Sequence, residues 1–429
     1  MQKTASKKVI NGWAMYDWAN SVYNLVITTT FFPIYFTEST KEAFGSDRIP
    51  FFGKYFINSA LYDYAMAAAF LIAAIASPIL SSIADTRGNK KRYLMMFTWL
   101  GGISCSALYL FRGGNVEYGV IFFILATLGY CGGLVFYNSY LPEIAAEEDR
   151  DRVSAKGFAM GYIGSVLLQL IGFALVTIKP FGISGGQAVL ITFLLVGVWW
   201  IGFAQITFLR LPASKGTISD HKAGALTEGF SELRKVYAQV KTMPVLKRFL
   251  RAFFFYSMGV QTVMMAATIF GAQELHLEAS ILISVVVVIQ VVAIAGASGM
   301  AWLSGKFGNL PVLIGVIFVW IGVCVGGYRM QTATDFYIMA TVVGLVMGGV
   351  QSLSRSTYAK LMPETEDTAS FFSYYDVTEK LSIVIGMITF GVIHEATGSM
   401  RNSVIALAAF FLIGLAWLFS ARRKQKELQ

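Results

Sequence analysis

The sequence predicts an all-α membrane protein with about twelve transmembrane helices in two related halves. Three observations support this: an apolar composition, recurring apolar segments of transmembrane length, and a short loop that repeats about 220 residues further on. Of the 429 residues, 56% are hydrophobic and 14% are charged, whereas a soluble domain has about 25% charged residues. Most side chains must therefore face lipid or other helices, which disfavours a soluble fold.

Apolar segments long enough to cross a bilayer occur along the whole chain. A hydrocarbon core of roughly 30 Å needs about 20 apolar residues per helix. The predicted spans are 12–36, 58–82, 93–111, 118–140, 157–178 and 187–209 in the first half, and 249–271, 280–303, 311–329, 335–360, 371–395 and 402–420 in the second. The first span is longer than the apolar core of a signal peptide, so we expect it to be retained. We predict two six-helix bundles, 1–209 and 249–429, a cytoplasmic basic linker at 210–248 and a short basic tail.

The distribution of Lys and Arg predicts the orientation. Cytoplasmic loops are enriched in these residues, and a cytoplasmic N-terminus places about three quarters of them inside. We therefore expect both termini in the cytoplasm and an even number of spans. The net charge of +9 then reflects contact with anionic lipid and not with nucleic acid. A bacterial inner membrane is the simplest location, and a vacuolar membrane is the alternative.

Several classes of chemistry have no support in the sequence. The three cysteines lie inside apolar runs and the three histidines are scattered, so neither a disulfide framework nor a metal site is predicted. The chain has no GxxxxGK[ST] phosphate-binding loop. It also shows no nucleophile–base constellation, so we expect neither an enzyme nor a cofactor.

Two loops form a weak internal repeat, which is common in transporters built from repeated bundles. The loop after the second span contains Asp85, Gly88 and Asn89, and the loop after the eighth contains Gly308 and Asn309 at matching positions. Leu-Pro-Glu at 141–143 and Met-Pro-Glu at 362–364 end the fourth and tenth spans at nearly the same offset. The second copy of the loop has Gly305 where an acid is expected.

The loop at residues 84–92, Ala-Asp-Thr-Arg-Gly-Asn-Lys-Lys-Arg, resembles the signature loop of the major facilitator superfamily. Ser81, Thr86 and Gly305 depart from the usual pattern. Segments 13–23, 31–36, 349–356 and 371–375 resemble the vacuole-effluxer-like branch, whose eukaryotic members are associated with autophagy and amino-acid export. The resemblance implies a major-facilitator fold along essentially the full chain, and amino acids or related zwitterions as solutes.

The signature loop also has a direct physical interpretation as a cytoplasmic gate formed by Asp85, Arg87, Gly88 and Lys90. A carboxylate can accept hydrogen bonds from the free N–H groups at a helix start. Gly88 permits a tight reversal, and the basic residues hold the loop at anionic headgroups. The resemblance suggests that Asp85 latches the two halves by capping the eleventh span near Phe371. The alternative is an ordinary basic stop signal with an incidental acid.

Ionisable residues within spans are the strongest functional candidates, because each costs about 2.5 to 3.5 kcal/mol in hydrocarbon. In the first span, Asp17, Asn20 and Asn24 follow at helical spacing and predict a polar stripe that faces a water-filled cavity. The alternative is a structural network that ties this span to its neighbours.

A second cluster is predicted on the tenth and eleventh spans. Asp376 and Lys380 form an i,i+4 pair, and Arg355 is expected at a similar depth. Such a cluster stays nearly neutral and can exchange one partner for a charged solute group; a static ion-pair network is the alternative. The predicted substrate-pathway residues are Asp17, Asn20, Asn24, Asn138, Gln261, Gln351, Arg355, Asp376, Glu379 and Lys380.

The sequence therefore predicts a secondary or facilitative transporter of a small polar solute that works by alternating access in the lipid bilayer, as a monomer. Proton coupling through Asp17, Asp376 or Glu379 is one option, and export or uniport without a coupling ion is the other. The alternatives are a scaffold or sensor that keeps the fold without transport, and a transporter of sugars, nucleosides or drugs.

Overall fold

Nearly all of the chain is helical. The structure, a computed structural model, describes residues 3–213 and 225–428. Its α-helices are α1 (Lys7–Val22), α2 (Phe32–Phe44), α3 (Asn58–Arg87), α4 (Lys90–Ala107), α5 (Val116–Ser139), α6 (Leu141–Ile144), α7 (Arg150–Ile178), α8 (Gly185–Arg210), α9 (Ala225–Thr242), α10 (Pro244–Gln273), α11 (Ala279–Phe307), α12 (Asn309–Arg329), α13 (Ala333–Leu361), α14 (Thr368–Thr397) and α15 (Met400–Leu428). Short 3₁₀ turns lie at Leu108–Leu110, Glu147–Asp149 and Pro180–Gly182.

Within the described residues, eleven helices are long and apolar enough to cross a membrane. They coincide with the predicted spans from 58–82 to 402–420. The remaining predicted span, 12–36, falls on α1, a π-helical segment at Tyr23–Phe31, and α2, which follow one another without a break. These pieces have 16, 9 and 13 residues, so none reaches transmembrane length alone although together they exceed it.

The π-helical segment was not predicted from the sequence, and its side chains suggest a cause. The hydroxyls of Thr29 and Thr30 both donate to the carbonyl of Leu25, each at 2.9 Å. Hydroxyl groups that bond a carbonyl of the preceding turn compete with the backbone ladder, and a wider turn accommodates both donors. The local helical period is therefore longer from Tyr23 onward than a regular α-helix would give.

The described helices divide by their contacts into two compact units. One contains residues 6–137 and 160–213, and the other contains residues 3–5, 138–159 and 225–428. The predicted boundaries followed the polar stretch between the two sets of apolar segments, whereas the contacts group 138–159 with the C-terminal helices. Most of the described linker is helical: α9 lies inside it, and α10 begins at Pro244, before the predicted start at 249. Residues 214–224 of the predicted linker lie outside the described residues.

Small residues allow close helix packing inside each unit. A Cβ atom at Gly129 of α5 would overlap the backbone of Gly101 in α4, and one at Gly348 of α13 would overlap the carbonyl of Ala293 in α11. Membrane helices associate largely through such backbone approach, because lipid provides no hydrophobic driving force between them. Large aromatic rings fill the remaining core, for example Trp320 stacked on Phe411 with ring centroids 5.6 Å apart.

A two-stranded hairpin, β1 (Arg48–Phe51) and β2 (Lys54–Ile57), separates α2 from α3. The strands are antiparallel, and Gly53 at the turn has a φ of 79°, which favours glycine. The backbone N–H of Phe52 donates to a carboxylate oxygen of Glu117 at 3.1 Å. This contact fixes the hairpin on the start of α5.

Candidate functional site

In the unit formed by residues 6–137 and 160–213, Asp17 is a buried carboxylate. Its side chain is 3% exposed, and an Oδ2 atom accepts a hydrogen bond of 2.7 Å from the hydroxyl of Tyr137. Tyr137 also stacks on Trp13 with ring centroids 4.4 Å apart. Since a buried charge is costly without compensating bonds, this hydroxyl holds the carboxylate in a defined position on α1.

Asn20 lies one turn further along α1 and is fully buried. Neither its Nδ2 nor its Oδ1 atom has a hydrogen-bond partner among the described residues. A buried amide that lacks partners is destabilising, so it calls for water or a polar ligand. Asn24, the third residue of the predicted stripe, is half-buried in the π-helical segment, where the changed period alters the regular spacing assumed from the sequence.

Asp85 of the signature loop forms an ion pair with Lys90, with Oδ1 and Nζ 3.0 Å apart. Both side chains are buried, at 2% and 1% exposure. Gly88 ends α3 with a φ of 63°, a conformation that residues with a Cβ rarely adopt. The side chain of Arg87 lies outside the described residues. Asp85 and Phe371 belong to different units, and the capping of the eleventh span stays a prediction.

In the unit that contains residues 138–159 and 225–428, the guanidinium of Arg355 makes a dense set of contacts. Its Nε donates to the hydroxyl of Ser154 at 2.9 Å, its Nη2 to the Ser154 carbonyl at 2.8 Å, and its Nη1 to Oδ1 of Asn138 at 3.1 Å. The group also lies over the ring of Phe158 at 4.2 Å. Arg355 therefore ties α13 to the end of α5 and the start of α7, and two predicted site residues, Arg355 and Asn138, are in direct contact.

The charged residues of α14 form a second set of contacts. Lys380 places its Nζ 3.0 Å from Oδ1 of Asp376, as the i,i+4 spacing predicted, and 3.9 Å from Oε2 of Glu379. Gln261 of α10 donates to Oε1 of Glu379 at 3.1 Å. We call Gln261, Asp376, Glu379 and Lys380 the α14 charge cluster. It brings four predicted residues together and carries two carboxylates and one ammonium.

Glu379 is the most accessible ionisable member of this cluster. Its side chain is 24% exposed, against 7% for Asp376 and 5% for Lys380. The amide of Gln351 lies near the same helices and donates to the sulfur of Met264 at 3.7 Å, a weak interaction that a better acceptor can replace.

A further polar cluster was missed by the sequence analysis. Asp151 at the start of α7 accepts bonds from Lys360 at 2.6 Å, Asn309 at 2.7 Å and Ser304 at 2.8 Å. The Nζ of Lys360 also donates to Oδ1 of Asn309 at 3.0 Å. We call these four residues the Asp151 cluster. Asp151 therefore supplies a carboxylate close to the second copy of the repeated loop, in which Gly305 stands at the position where an acid is expected.

The signal for this cluster was present but ambiguous. Asp151 lies in the run Glu-Glu-Asp-Arg-Asp-Arg at 147–152, whose arginines indicate an inner loop but whose acids have no evident partner in the sequence. Asn309 was recognised only as a repeat position. Within the described residues, no group of three or more His, Cys, Asp or Glu side chains has the arrangement of a metal site.

The membrane-length helices and their arrangement define a multi-pass membrane protein with the major-facilitator fold. The chain is similar to the human organic anion transporter MFSD10, with a TM-score of 0.76 at 10% identity over 96% of this chain and 99% of that one. It is also similar to the E. coli fucose:proton symporter FucP, with a TM-score of 0.69 at 14% identity over 96% and 97% of the two chains. Such transporters have twelve membrane helices in two bundles, so the predicted fold class is confirmed.

Sequence comparison identifies the branch. The family profile described as "Vacuole effluxer Atg22 like" matches residues 5–429, and the chain belongs to this family. An uncharacterized MFS-type transporter of Bacillus subtilis, YxiO, is 30% identical over 95% of this chain and 93% of its own length. Autophagy-related protein 22 of Eremothecium gossypii is 24% identical over 99% and 92%. The predicted resemblance is confirmed. The family description names an effluxer and the Bacillus subtilis relative is described as a transporter, so the chain is a transporter of the major facilitator type and not an enzyme.

Proposed function

We propose that this transporter carries amino acids or related zwitterions, and that the α14 charge cluster recognises the charged groups of the solute. The observation that carries the proposal is the uneven pairing of Lys380, 3.0 Å from Asp376 and 3.9 Å from Glu379. Glu379 is thus a partly exposed acceptor, 24% accessible, whose ion pair is long. The affiliation with the vacuole-effluxer family supports the same solute class.

A zwitterion matches the cluster chemically. Its ammonium group can replace the long contact between Glu379 and Lys380, because carboxylates bind charged N–H donors strongly. The ammonium of Lys380 can then turn toward the solute carboxylate while it keeps Asp376. Each charged group of the solute meets an opposite charge, so little uncompensated charge remains in the membrane interior.

Movement of the solute is proposed to follow alternating access, with the solute site near the midplane. Asp17 and Asn20 provide the polar surface on α1, where the unpartnered Asn20 amide supports contact with water or solute. Asp85 with Lys90, and the Asp151 cluster, are assigned to cytoplasmic gating. We also propose that both termini lie in the cytoplasm and that, in a bacterial cell, the protein lies in the inner membrane.

Coupling to protons is proposed to use Glu379. Protonation of Glu379 gives up an ion pair at 3.9 Å, whereas protonation of Asp376 gives up a closer pair at 3.0 Å and therefore more Coulomb energy. Protonation would release Gln261 and Lys380 to reorganise before the solute binds. Uniport of the zwitterion without a coupling ion is the alternative, and it leaves the recognition role of Glu379 unchanged.

The proposal is tested by exchange of labelled amino acids into proteoliposomes that contain the full chain, with and without a pH gradient. Glu379→Gln keeps the size of the side chain and an acceptor for Gln261 but removes the charge. We expect amino-acid exchange by the wild type, and a KM at least about tenfold higher in the variant, because a charge-assisted bond is worth roughly twice a neutral one. Glu278→Gln, an exposed acid before α11, is the matched control.

Two results would contradict the proposal. Absence of flux for amino acids, together with flux for sugars, nucleosides or drugs, would assign another solute class. Absence of flux for every solute, from protein that is monodisperse and stable, would favour a scaffold or sensor. If amino acids exchange but Glu379→Gln retains the wild-type KM, the solute class stands and the recognition role of Glu379 is wrong.

A further inference from the structure

A group of cations occupies one face of the last turns of α15. Phe419, Arg422, Arg423 and Lys426 follow one another at spacings of three, one and three residues, which places them on the same side of the helix. Together with Glu427 they line a surface cavity of about 400 Å³. The face therefore combines one aromatic ring, three cations and a single carboxylate.

Arg422 has an unmet hydrogen bond at this site. Its Nε atom is buried and has no acceptor among the described residues. The carboxylate of Glu427 is engaged by Arg423 at 3.2 Å and by Lys424 at 3.1 Å. Because a buried donor without an acceptor is unfavourable, the site favours an anionic acceptor from outside the protein.

Arginines of the neighbouring helix α10 are already occupied. Arg248 donates from Nη1 to the carbonyl of Ser420 at 3.0 Å, and Arg251 lies over the ring of Trp417 at 4.6 Å. These contacts pin the end of α15 and add positive potential beside the cavity. The cations that line the cavity are Arg422, Arg423 and Lys426. Arg423 donates its Nε to Glu427, whereas the Nε of Arg422 has no acceptor among the described residues.

The cations continue an apolar surface of the membrane-spanning part. Leu412 and Phe419 are 55% and 46% exposed and are seven residues apart, so they share a face. Phe318 of α12, 52% exposed, approaches the Phe419 ring with centroids 6.3 Å apart. Along this face, apolar side chains are followed by an aromatic ring and then by guanidinium groups. The same order is found in a lipid leaflet, which passes from acyl chains through the interface to the headgroups.

We propose that this face is a binding site for an anionic phospholipid. Arg422 and Arg423 contact the phosphodiester, which matches the forked donors of a guanidinium. The acyl chains lie along Leu412, Phe419 and Phe318. Lys426 adds a further positive charge at headgroup depth, where anionic lipid attracts basic side chains.

The test is native mass spectrometry of the full-length protein with phosphatidylglycerol or phosphatidylcholine of identical acyl chains. We expect one phosphatidylglycerol to bind at least about tenfold more tightly than phosphatidylcholine, and Arg422→Gln with Arg423→Gln to abolish that preference. The matched control, Lys7→Gln with Lys8→Gln, removes the same charge from exposed residues of α1 and should keep the preference. Arg422→Lys keeps the charge but removes Nε, and we expect an intermediate loss.

Three results would overturn the proposal: equal binding of the two lipids by the wild type, an unchanged preference in the double glutamine variant, or displacement of phosphatidylglycerol by millimolar inorganic phosphate. The last result would assign the site to free phosphate. Size-exclusion profiles of the variants show whether the fold is retained, so a loss of lipid is distinguishable from unfolding.

Discussion

The carboxylate of Asp151 lies 2.6 Å from the ammonium of Lys360, although the two residues are 209 positions apart in the sequence. Asp151 is at the start of α7 and Lys360 is in the last turn of α13. Their side chains are 6% and 19% exposed, so water screens the pair only partly. The contact joins the segment 138–159 to the C-terminal helices within one compact unit.

Replacing one member of this pair should leave the other charge poorly compensated, so the losses from the two single variants should not be additive. Asp151→Asn or Lys360→Gln leaves one poorly compensated charge, and we expect each to lower the free energy of unfolding by about 3 kcal/mol. The double variant should lose less than the sum of the two single variants. Unfolding by denaturant titration in mixed micelles measures all three. Additive losses would show that Asp151 and Lys360 are not energetically coupled.

Substitutions at Asp17 and Tyr137 can distinguish a structural role of this pair from a role in transport. Tyr137→Phe removes the hydroxyl that donates to Asp17 and should cost about 1.5 to 3 kcal/mol of stability, the range for a hydrogen bond to a charged group. Asp17→Asn keeps an acceptor, so it should fold well but lose at least about tenfold in exchange rate if α1 lines the pathway.

Thr207→Val is the control for this pair, because the Thr207 hydroxyl donates to the carbonyl of Gly12 at 2.8 Å in the same unit, away from the stripe. It should cost stability without a specific loss of exchange. Wild-type exchange in Asp17→Asn would assign Asp17 to a purely structural network.

Arg355 should not tolerate replacement by lysine. A lysine cannot reproduce three guanidinium bonds to Ser154 and Asn138, and we expect Arg355→Lys to lower stability by about 1.5 to 3 kcal/mol. Arg152→Lys is the control, since Arg152 is 74% exposed and should change little. Paired replacement of Arg355→Gln with Asp376→Asn then tests the predicted charge cluster. Restored folding without solute binding supports a site, whereas restored transport excludes one.

Close helix packing at Gly129 gives a prediction that is independent of function. Gly129→Ala adds a Cβ that overlaps the backbone of Gly101 and should destabilise the protein by about 1 to 3 kcal/mol. A Cβ at Gly202 of α8 meets nothing within 4 Å, so Gly202→Ala should be neutral or stabilising by up to about 1 kcal/mol. Melting midpoints from fluorescence-detected size-exclusion chromatography compare the two. Equal midpoints would mean that α4 and α5 are less tightly packed than the structure shows.

Local properties were readily predicted. Apolar length is read over about 20 consecutive residues, and eleven spans were found where they were predicted. The i,i+4 pair Asp376 and Lys380 is set by helix geometry and lies at 3.0 Å. The first span, predicted at 12–36, contains a π-helical segment that the sequence did not predict, where Thr29 and Thr30 both bond Leu25.

The hairpin was missed for a related reason. Its strands are short, and the turn at Gly53 lies within a loop that was treated only as an outer connection. The pairing of Arg48 with Ile57 closes through Phe52 and Gly53, which both have a positive φ, and phenylalanine is not a residue that signals such a turn in the sequence.

The sequence by itself determined that this chain is a helical membrane protein of the transporter type, because hydrocarbon requires continuous apolar helices and signature loops are short. Only the tertiary structure decided which charges meet. Arg355 finds Ser154 and Asn138 at separations of 201 and 217 residues, and Asp151 finds Lys360 at 209. Such pairs depend on helix packing in three dimensions, where a buried charge takes whichever partner the fold brings within reach.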